Sequence, residues 1–458
     1  MIDAKPEYSK YGHRKGMILN FFLIILFSLT GPTLANDAVR PNFVILLSDD
    51  HGADDVGFSG NMDVSTPVLD QLSREGVTFK RAFAPASVCT PSRSAIYTGL
   101  YPYRNGCHQN HGGIKPEITT LPHYLMPLGY RVVLAGKVHV APKESFPFEY
   151  IEKHEIPHFL ETVGDTPFCL IVGYYSPHEP YFNKKSGVAH SKITPKPWMP
   201  DTKETRMLTA GYYDNVENLD YEIGTSLYWL EKGGFIENSM IIYTSDHGPG
   251  LPFGKWTLYE KALHVPFIVK WKGINDPGRQ SDVLVSLTDI LPTIIELAEG
   301  RSPVDLDGKS ILPHIVGKGE NLHHEYLYAA YTNLGVQEAN RYPIRSVRNG
   351  RYKLIINANY SSQFTIRMTQ RPDNRAVICG YRVLESWRKT GADPLKRYRQ
   401  FRSRPMVELY DLQNDPHEMR NLAELAEYRE VKDTMMTRLR NWVCEQNDTE
   451  YVELLGCL

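Results

Sequence analysis

One cysteine of the chain lies in a short segment whose composition points to chemistry. Cys89 is followed by Thr-Pro-Ser and Arg93 and, after four more residues, by Thr-Gly. No second metal-ligating residue stands beside Cys89 in the sequence. The chain has 6 cysteines in 458 residues, too few for a disulfide scaffold, although Cys444 and Cys457 could close a small loop. Cys89 therefore requires another explanation than a structural bridge.

Further polar residues stand at the ends of apolar segments that are typical of buried strands. They are Asp49 and Asp50 after "NFVILLS", His178 after "FCLIVGYYSP", and Asp246 and His247 after "SMIIYTS". In an open α/β sheet the carboxyl ends of the strands share one edge, so these side chains are expected to meet in one site. Three aspartates suit a hard divalent cation, and the histidines leave a zinc site open.

The segment "CTPSR" followed by Thr-Gly resembles the signature of the type I sulfatases, a branch of the alkaline-phosphatase-like superfamily. Four more segments resemble motifs of that family: "LLSDDHG", "AGKVHV", "YYSPHEPY" and "TSDHGPGLPFGKWTLYE". The resemblance extends over nearly the whole chain beyond its N-terminal leader. Many relatives have asparagine where this chain has His247, which leaves the choice of cation open.

The resemblance implies a role for each matched residue. In the family, the signature cysteine is oxidised after translation to formylglycine, so Cys89 would supply both the nucleophile and a metal ligand. The metal, Ca²⁺ with Mg²⁺ as the alternative, would bind Asp49, Asp50, Asp246 and His247. The other catalytic residues implied are Arg93, Lys137, His139, His178 and Lys255.

Physical chemistry supports these roles. Sulfate esters and sulfamates resist hydrolysis because a negatively charged group must accept a nucleophile, and a divalent cation withdraws part of that charge. Hydrated formylglycine has two hydroxyls on one carbon: one attacks sulfur, and the other loses its proton to expel sulfate. Arg93 would orient the hydrated aldehyde. Lys137, His139 and Lys255 would surround the sulfuryl group with positive charge. His178, aided by Lys255, would protonate the leaving atom.

The C-terminal segments "RYPIRSVRNGRYKLIINANY" and "KTGADPLKRYRQFRSRPMVELYDLQNDPHEMRNL", and the tail with Cys444 and Cys457, resemble those of the N-sulfoglucosamine sulfohydrolases, the heparan N-sulfatases of the same family. Those enzymes have an aspartate two residues before the strand-end histidine, where this chain has Ser176. This difference leaves N-sulfated glucosamine and O-sulfated glycans, including algal ones, as alternative substrates. Other candidate contacts are His108, His111, Tyr342 and Arg345, with loop positions as the alternative for the histidines and structural positions for Tyr342 and Arg345.

Positioning these residues requires an α/β fold. Strand-like segments alternate with helical patterns, which predicts a large, mostly parallel sheet flanked by helices over residues 36–320. Beyond residue 320, "RSVRNGRYKLIINA" predicts a hairpin that turns at Asn349-Gly350. A further strand and a helix near 423–443 complete a smaller antiparallel α+β domain over residues 321–458. A site covered by this domain would admit one terminal sugar, so action from a chain end is expected.

The N-terminus has the features of an export signal. A basic group at 13–15 precedes an apolar run, and cleavage after Ala35 would remove residues 1–35. An uncleaved anchor is the alternative, but the apolar run at 17–29 is short for a membrane span. The expected enzyme is therefore exported, to a periplasmic, secreted or lysosomal location, without a stable membrane anchor.

The composition bears on partners. The net charge of −2 lacks the large positive excess that is typical of proteins that bind polyanions. The chain also contains no recognised nucleic-acid-binding module, so no nucleic-acid partner is expected. The expected partners are a sulfated glycan and an enzyme that converts Cys89 to formylglycine. The sequence carries no signal for oligomeric state. Two other functions stay open: a phosphomonoester or phosphonate hydrolase on the same scaffold, and a catalytically silent glycan-binding protein.

Overall fold

Two sheets form the framework of the chain in this computed structural model, which describes residues 40–181, 190–301, 303–320, 322–337, 339–370 and 378–455. The predicted leader, residues 1–35, lies outside the described residues. The described strands are Asn42–Asp49 (β1), Val77–Phe83 (β2), Arg131–Gly136 (β3), Glu149–Ile151 (β4), Phe168–Pro177 (β5), Ser239–Ser245 (β6), His264–Val265 (β7), Phe267–Lys270 (β8), Gln280–Ser286 (β9), Leu327–Tyr331 (β10), Ile344–Arg348 (β11), Tyr352–Asn357 (β12) and Val407–Asp411 (β13). The described α-helices are Pro67–Glu75 (α1), Cys89–Thr98 (α2), Pro102–Asn105 (α3), Leu121–Leu125 (α4), Ile156–Thr162 (α5), Lys203–Lys232 (α6), Glu260–Leu263 (α7), Ile290–Glu299 (α8), Leu312–Ile315 (α9), Ile378–Thr390 (α10), Ala392–Arg402 (α11), Arg429–Glu445 (α12) and Thr449–Leu455 (α13).

The larger sheet is mostly parallel. Within the described ranges it has nine strands in the order β4-β3-β5-β1-β6-β8-β2-β7, with β9 beside β2. β1 pairs in parallel with β5 on one side and β6 on the other. β7 and β8 run antiparallel to their neighbours. The fold class predicted from the alternation of strand and helix patterns is confirmed.

Helices cover both faces of the larger sheet. Because successive strand residues point to opposite faces, Phe43 and Ile45 of β1 pack with α2, α4 and α8, whereas Val44 and Leu46 pack with α1, α5 and α6. All four side chains are fully buried. A strand buried on both faces has to be continuously apolar, which explains the run "FVILL". The chemistry is therefore confined to the end of the strand.

The smaller sheet is antiparallel, in the order β10-β11-β12-β13. Its central hairpin joins β11 to β12, with Arg348 paired opposite Lys353. In the turn, the Asn349 side-chain oxygen accepts hydrogen bonds from the backbone N–H groups of Arg351 and Tyr352 at 2.8 and 2.7 Å. The predicted hairpin is thus confirmed. α12 packs on one face of this sheet.

The start of α12 differs from the prediction. The helix begins at Arg429 and not near residue 423. The Leu422 N–H donates to the Leu409 carbonyl at 2.8 Å, so this segment still runs alongside β13. Because Leu422 is hydrogen-bonded to the sheet, the helix begins later in the chain than the sequence pattern predicts.

Three other predictions concern organisation. The described residues from Arg40 onward form one compact unit, so the division at 320/321 stays a prediction. Cys444 is disulfide-bonded, but Cys457 lies outside the described residues, and the pairing of the two also stays a prediction. Among the helices that the structure describes, none combines the length and the apolar character needed to cross a membrane.

Candidate active site

Three neighbouring parallel strands carry polar residues to one edge of the larger sheet. Asp49 ends β1 and is followed by Asp50, while His178 comes directly after β5 and Asp246 directly after β6. Asp50 has a φ of 71°, in the left-handed region that few residues other than glycine adopt. This turn breaks the alternation of the strand, and both aspartates face the same cluster. The structure therefore brings the strand-end residues together.

Cys89 lies at the centre of these residues. It is the first residue of α2 and only 2% exposed. Its Sγ atom is 3.3 Å from Asp49 Oδ1, 3.4 Å from His247 Nε2, 3.6 Å from Lys255 Nζ and 3.8 Å from Lys137 Nζ. Four residues that are far apart in the sequence thus contact the one sulfur atom.

The donor atoms around Cys89 fit a metal ion. One ligand atom from each of Asp49, Cys89, Asp246 and His247 lies within 4.8 Å of the others. His247 Nδ1 is 3.0 Å from the Gly248 carbonyl, which can only accept, so Nδ1 carries a proton and Nε2 is the ring nitrogen that faces the cluster and could bind a metal. Asp50 lies beside Asp49 in a second, overlapping group with His178, so the two groups together offer three carboxylates. This mainly oxygen donor set suits a hard cation.

Three basic side chains neutralise the three carboxylates. The ion pairs are Arg93–Asp246, Lys137–Asp49 and Lys255–Asp50. Arg93 Nε donates to Asp246 Oδ2 at 2.8 Å, and Lys255 Nζ donates to both carboxylate oxygens of Asp50, at 2.8 and 3.1 Å. Since these charges cancel, a divalent cation would make the cluster net positive. A positive, buried cluster is suited to a negatively charged ester.

The aspartates stay ionised in spite of their burial. Burial by itself would raise the pKa of Asp49, but Lys137, His178 and Lys255 hold it well below its ordinary value. Burial acts in the same way on Asp50, and Lys255 and His178 lower its pKa below the ordinary value. Both carboxylates are therefore available to bind a cation at neutral pH.

His178 lies at the rim of the cluster. Its Nε2 atom is 4.0 Å from Asp50 Oδ2, and its side chain is 30% exposed. Its Nδ1 atom donates to the Glu179 carbonyl at 2.6 Å, which fixes the orientation of the ring. Ser176, two residues earlier, is half-buried and accepts a hydrogen bond from Asn218 Nδ2 at 3.1 Å. The two candidates thus occupy neighbouring positions at the end of β5.

The other candidate histidines are in two places. His139 Nε2 is 3.1 Å from His111 Nδ1, and His139 Nδ1 has no hydrogen-bond partner among the described residues. Burial and the nearby Lys137 lower the pKa of His139 to about 4, so its ring is neutral and does not supply the positive charge expected of it from the sequence. His108 stacks on Tyr103, with ring centroids 4.7 Å apart. His111 is therefore the loop histidine that pairs with a predicted catalytic residue.

Tyr342 and Arg345 are fully buried. The Tyr342 ring packs 5.2 Å from Phe364, and the Arg345 guanidinium donates to Asp448 at 2.9 Å and to Glu450 at 3.0 Å. These positions correspond to the structural alternatives, and we include neither residue among the substrate contacts proposed below.

Arg345→Ala is expected to lower the free energy of unfolding by about 3–5 kcal/mol, because it leaves the buried carboxylate of Asp448 without a counter-charge. Urea denaturation measures this change, and turnover per folded molecule should be unaffected. Arg351→Ala is the control, because Arg351 is half exposed where it pairs with Asp411 at 2.7 Å and should matter far less. Equal losses in the two variants would contradict the structural role of Arg345.

Two residues near the site were not predicted from the sequence. Glu179 directly follows His178, and its carboxylate is 3.7 Å from Arg367 Nη1. Burial raises the pKa of Glu179, against the effect of His178 and Lys255. The position of Glu179 beside a motif histidine was an available signal. Nothing in the segment around Arg367 indicated that it lies near the strand ends.

The chain is similar to known protein families. The family model described as "Sulfatase" matches residues 41–160 and 153–300, and the model described as "N-sulphoglucosamine sulphohydrolase, C-terminal" matches residues 248–377. A protein of Formosa agariphila named "Ulvan-active sulfatase" is 33% identical over 437 residues, which cover 91% of this chain and 82% of that protein.

Two further similarities extend over most of the chain. The human N-sulphoglucosamine sulphohydrolase is 27% identical over 481 residues, which cover 89% of this chain and 91% of that protein. A solved structure of a protein in complex with its substrate, D-glucosamine-2-N,6-O-disulfate, has a TM-score of 0.71 at 19% identity and covers 89% of this chain and 98% of that chain. The structural likeness concerns the fold.

Proposed function

The chain belongs to the sulfatase family, and from this premise we propose that it removes sulfate from a sulfated glycan by means of a formylglycine formed from Cys89. It is a hydrolase of sulfate esters or sulfamates. The observation that carries the proposal is the position of Cys89 Sγ, between 3.3 and 3.8 Å from two candidate metal ligands and two lysines.

The proposed metal is Ca²⁺, with Mg²⁺ as the alternative. The donor set supports this choice, because three carboxylates supply hard oxygen atoms. The ligands proposed are residue 89 and the four side chains of Asp49, Asp50, Asp246 and His247. Bound there, the cation supplies positive charge that polarises the sulfuryl oxygens.

The nucleophile is proposed to be residue 89. Hydrated formylglycine supplies one hydroxyl that attacks sulfur and a second that, once deprotonated, releases sulfate. Arg93 holds this residue in place, since its guanidinium donates to Asp246 at 2.8 Å, to the Ser48 carbonyl at 3.3 Å and to the Lys137 carbonyl at 3.4 Å. These bonds fasten α2 to the ends of the neighbouring strands.

The remaining residues stabilise charge and transfer a proton. The Nζ atoms of Lys137 and Lys255 both lie within 4 Å of Cys89 Sγ. The two lysines would stabilise the negative charge on the sulfuryl oxygens of a substrate bound there. His139 would add a neutral hydrogen-bond donor beside them. When the bond from sulfur to the leaving oxygen or nitrogen breaks, His178 Nε2, with Lys255 in support, would give that atom its proton.

The substrate is proposed to be a terminal sugar of a sulfated polysaccharide. The names of the relatives support this class, since they refer to ulvan and to N-sulphoglucosamine. Export through residues 1–35 and conversion of Cys89 by a maturation enzyme complete the proposal. Candidate contacts with the sugar are Ser176, His108 and His111.

The test is the release of inorganic sulfate from defined saccharides: N-sulfated glucosamine, O-sulfated monosaccharides, and ulvan oligosaccharides with terminal or internal sulfate. Release from at least one of these, faster at terminal sugars, is expected. Binding of the saccharides without release would favour the silent glycan-binding alternative. Turnover of a phosphonate monoester but of no sulfated compound would favour a phosphonate hydrolase and overturn the proposal.

Ser176→Asp is expected to raise the preference for N-sulfated over O-sulfated sugar by about tenfold or more, because a carboxylate would bind the amino sugar through a charge-assisted hydrogen bond. The measurement is the ratio of kcat/KM for the two sugars. Ser176→Asn, which adds similar volume without charge, is the control. A wild type that strongly prefers the N-sulfated sugar, together with no change in Ser176→Asp, would contradict this role.

A further inference from the structure

A second group of metal-ligating side chains lies outside the catalytic cluster. Asp289, between β9 and α8, is fully buried, and the side chains of His323 and His324 are 6% and 8% exposed. His323 Nε2 is 3.2 Å from Asp289 Oδ2, and His324 Nε2 is 2.9 and 3.0 Å from the two carboxylate oxygens. One ligand atom from each residue lies within 4.8 Å of the other two.

The Asp289 carboxylate is held by the two imidazoles and by backbone donors. Within the described ranges, this carboxylate forms ion pairs with the two imidazoles and with no lysine or arginine. It also accepts the backbone N–H groups of Ser286 at 2.9 Å and Lys309 at 2.8 Å. Within the described ranges, the polar side chains that face this buried carboxylate are therefore the two imidazoles.

The donor set indicates the kind of cation. Two successive residues direct the same ring nitrogen at one carboxylate, and the backbone donors of Ser286 and Lys309 hold that carboxylate in place, as outer-shell partners of metal ligands do. Two imidazoles and one carboxylate suit Zn²⁺ or a similar divalent ion, whereas Ca²⁺ prefers oxygen ligands. We propose that Asp289, His323 and His324 bind a zinc-class cation, with water completing the coordination.

The position of this group indicates a structural role. Asp289 precedes α8, which packs on the larger sheet, whereas His323 and His324 precede β10 of the smaller sheet. The cation would therefore connect the frameworks of the two sheets near the predicted boundary at 320/321. A cation that binds the folded chain and not the unfolded one stabilises the fold in proportion to its occupancy. The expected effect is on thermal stability, and not on turnover per folded molecule.

The test compares full-length wild type, His323→Ala and His324→Ala after dialysis against Zn²⁺. Elemental analysis should find one bound zinc per chain in the wild type that is lost in both variants, and zinc should raise Tm in the wild type alone. His158→Ala, which removes an exposed histidine, is the matched control and should keep the zinc. Asp246→Asn distinguishes zinc bound at the cluster around Cys89 from zinc bound at Asp289. Zinc at the Cys89 cluster would be lost in Asp246→Asn and kept in the two histidine variants.

A second measurement does not depend on the folding of the variants. In wild type loaded with Co²⁺, proton NMR should show two strongly shifted ring N–H resonances, one from each ligating imidazole. Equal zinc content in wild type and His323→Ala would overturn the proposal, as would a Co²⁺ spectrum without a pair of shifted imidazole signals. Sulfate release by the wild type tests the proposed function separately. The proposed cation site at Asp289 and the proposed sulfatase activity can therefore fail independently of each other.

Discussion

Cys89→Ser is expected to fold normally and to lose steady-state sulfate release by at least about 10³-fold, because it removes the group that completes each catalytic cycle. A serine hydroxyl can attack sulfur, but the resulting sulfate ester has no second hydroxyl on the same carbon to expel sulfate. The oxygen fits the space of the sulfur, which is 3.3 Å from Asp49 and 2% exposed. Sulfate release under saturating substrate measures the loss, and circular dichroism verifies the fold.

Cys107→Ser is the matched control for this variant. Cys107 is also a fully buried free thiol, and burial raises its pKa to about 11, so it stays neutral. It contacts the Gly112 carbonyl at 3.5 Å and has no place in the proposed reaction. Turnover per folded molecule should therefore be retained. Multiple turnovers in Cys89→Ser would contradict the proposed release step.

Asp246→Asn is expected to lower kcat by about 10³-fold or more, since a metal that polarises the sulfuryl group contributes several kcal/mol to the barrier. The variant keeps the shape of the side chain but removes a ligand charge and the partner of Arg93 at 2.8 Å. Bound Ca²⁺ per chain, measured by elemental analysis, should fall together with activity. Exhaustive chelation of the wild type should have the same effect on activity, reversed by Ca²⁺ or Mg²⁺.

Asp276→Asn is the control, because Asp276 is an exposed carboxylate. It should keep both the metal and the activity. Full activity of the wild type after chelation, with metal analysis finding no bound cation, would contradict the metal-dependent mechanism.

The cluster around Cys89 was largely predictable, because Asp49, Asp50, His178 and Asp246 stand at the ends of strands. The apolar runs before Asp49, His178 and Asp246 are typical of buried parallel strands, and such strands end at a common edge. A shared site for these residues therefore followed from the pattern, whereas the order of the strands, with β1 between β5 and β6, did not. Cys89 was predictable for a different reason, since a long and specific signature surrounds it.

Contacts made by loops and by the smaller sheet were not predictable in the same way. The pairing of Arg367 with Glu179 and the burial of Arg345 against Asp448 join residues far apart in the sequence. No periodicity specifies such pairs, because they depend on how packed elements meet. The group at Asp289 is a similar case. His323 and His324 precede β10, and nothing in the sequence around them predicts that they contact a carboxylate that precedes α8.

The central claim is that Cys89 acts as formylglycine, and mass spectrometry of the tryptic peptide 82–93 tests it most directly. The protein should be active and produced together with a formylglycine-generating enzyme, and its rate of sulfate release should be determined on the same sample. We expect the peptide mass to correspond to an aldehyde in place of the thiol, and the converted fraction to rise in proportion to activity. An unmodified thiol at residue 89 in fully active protein would contradict the mechanism.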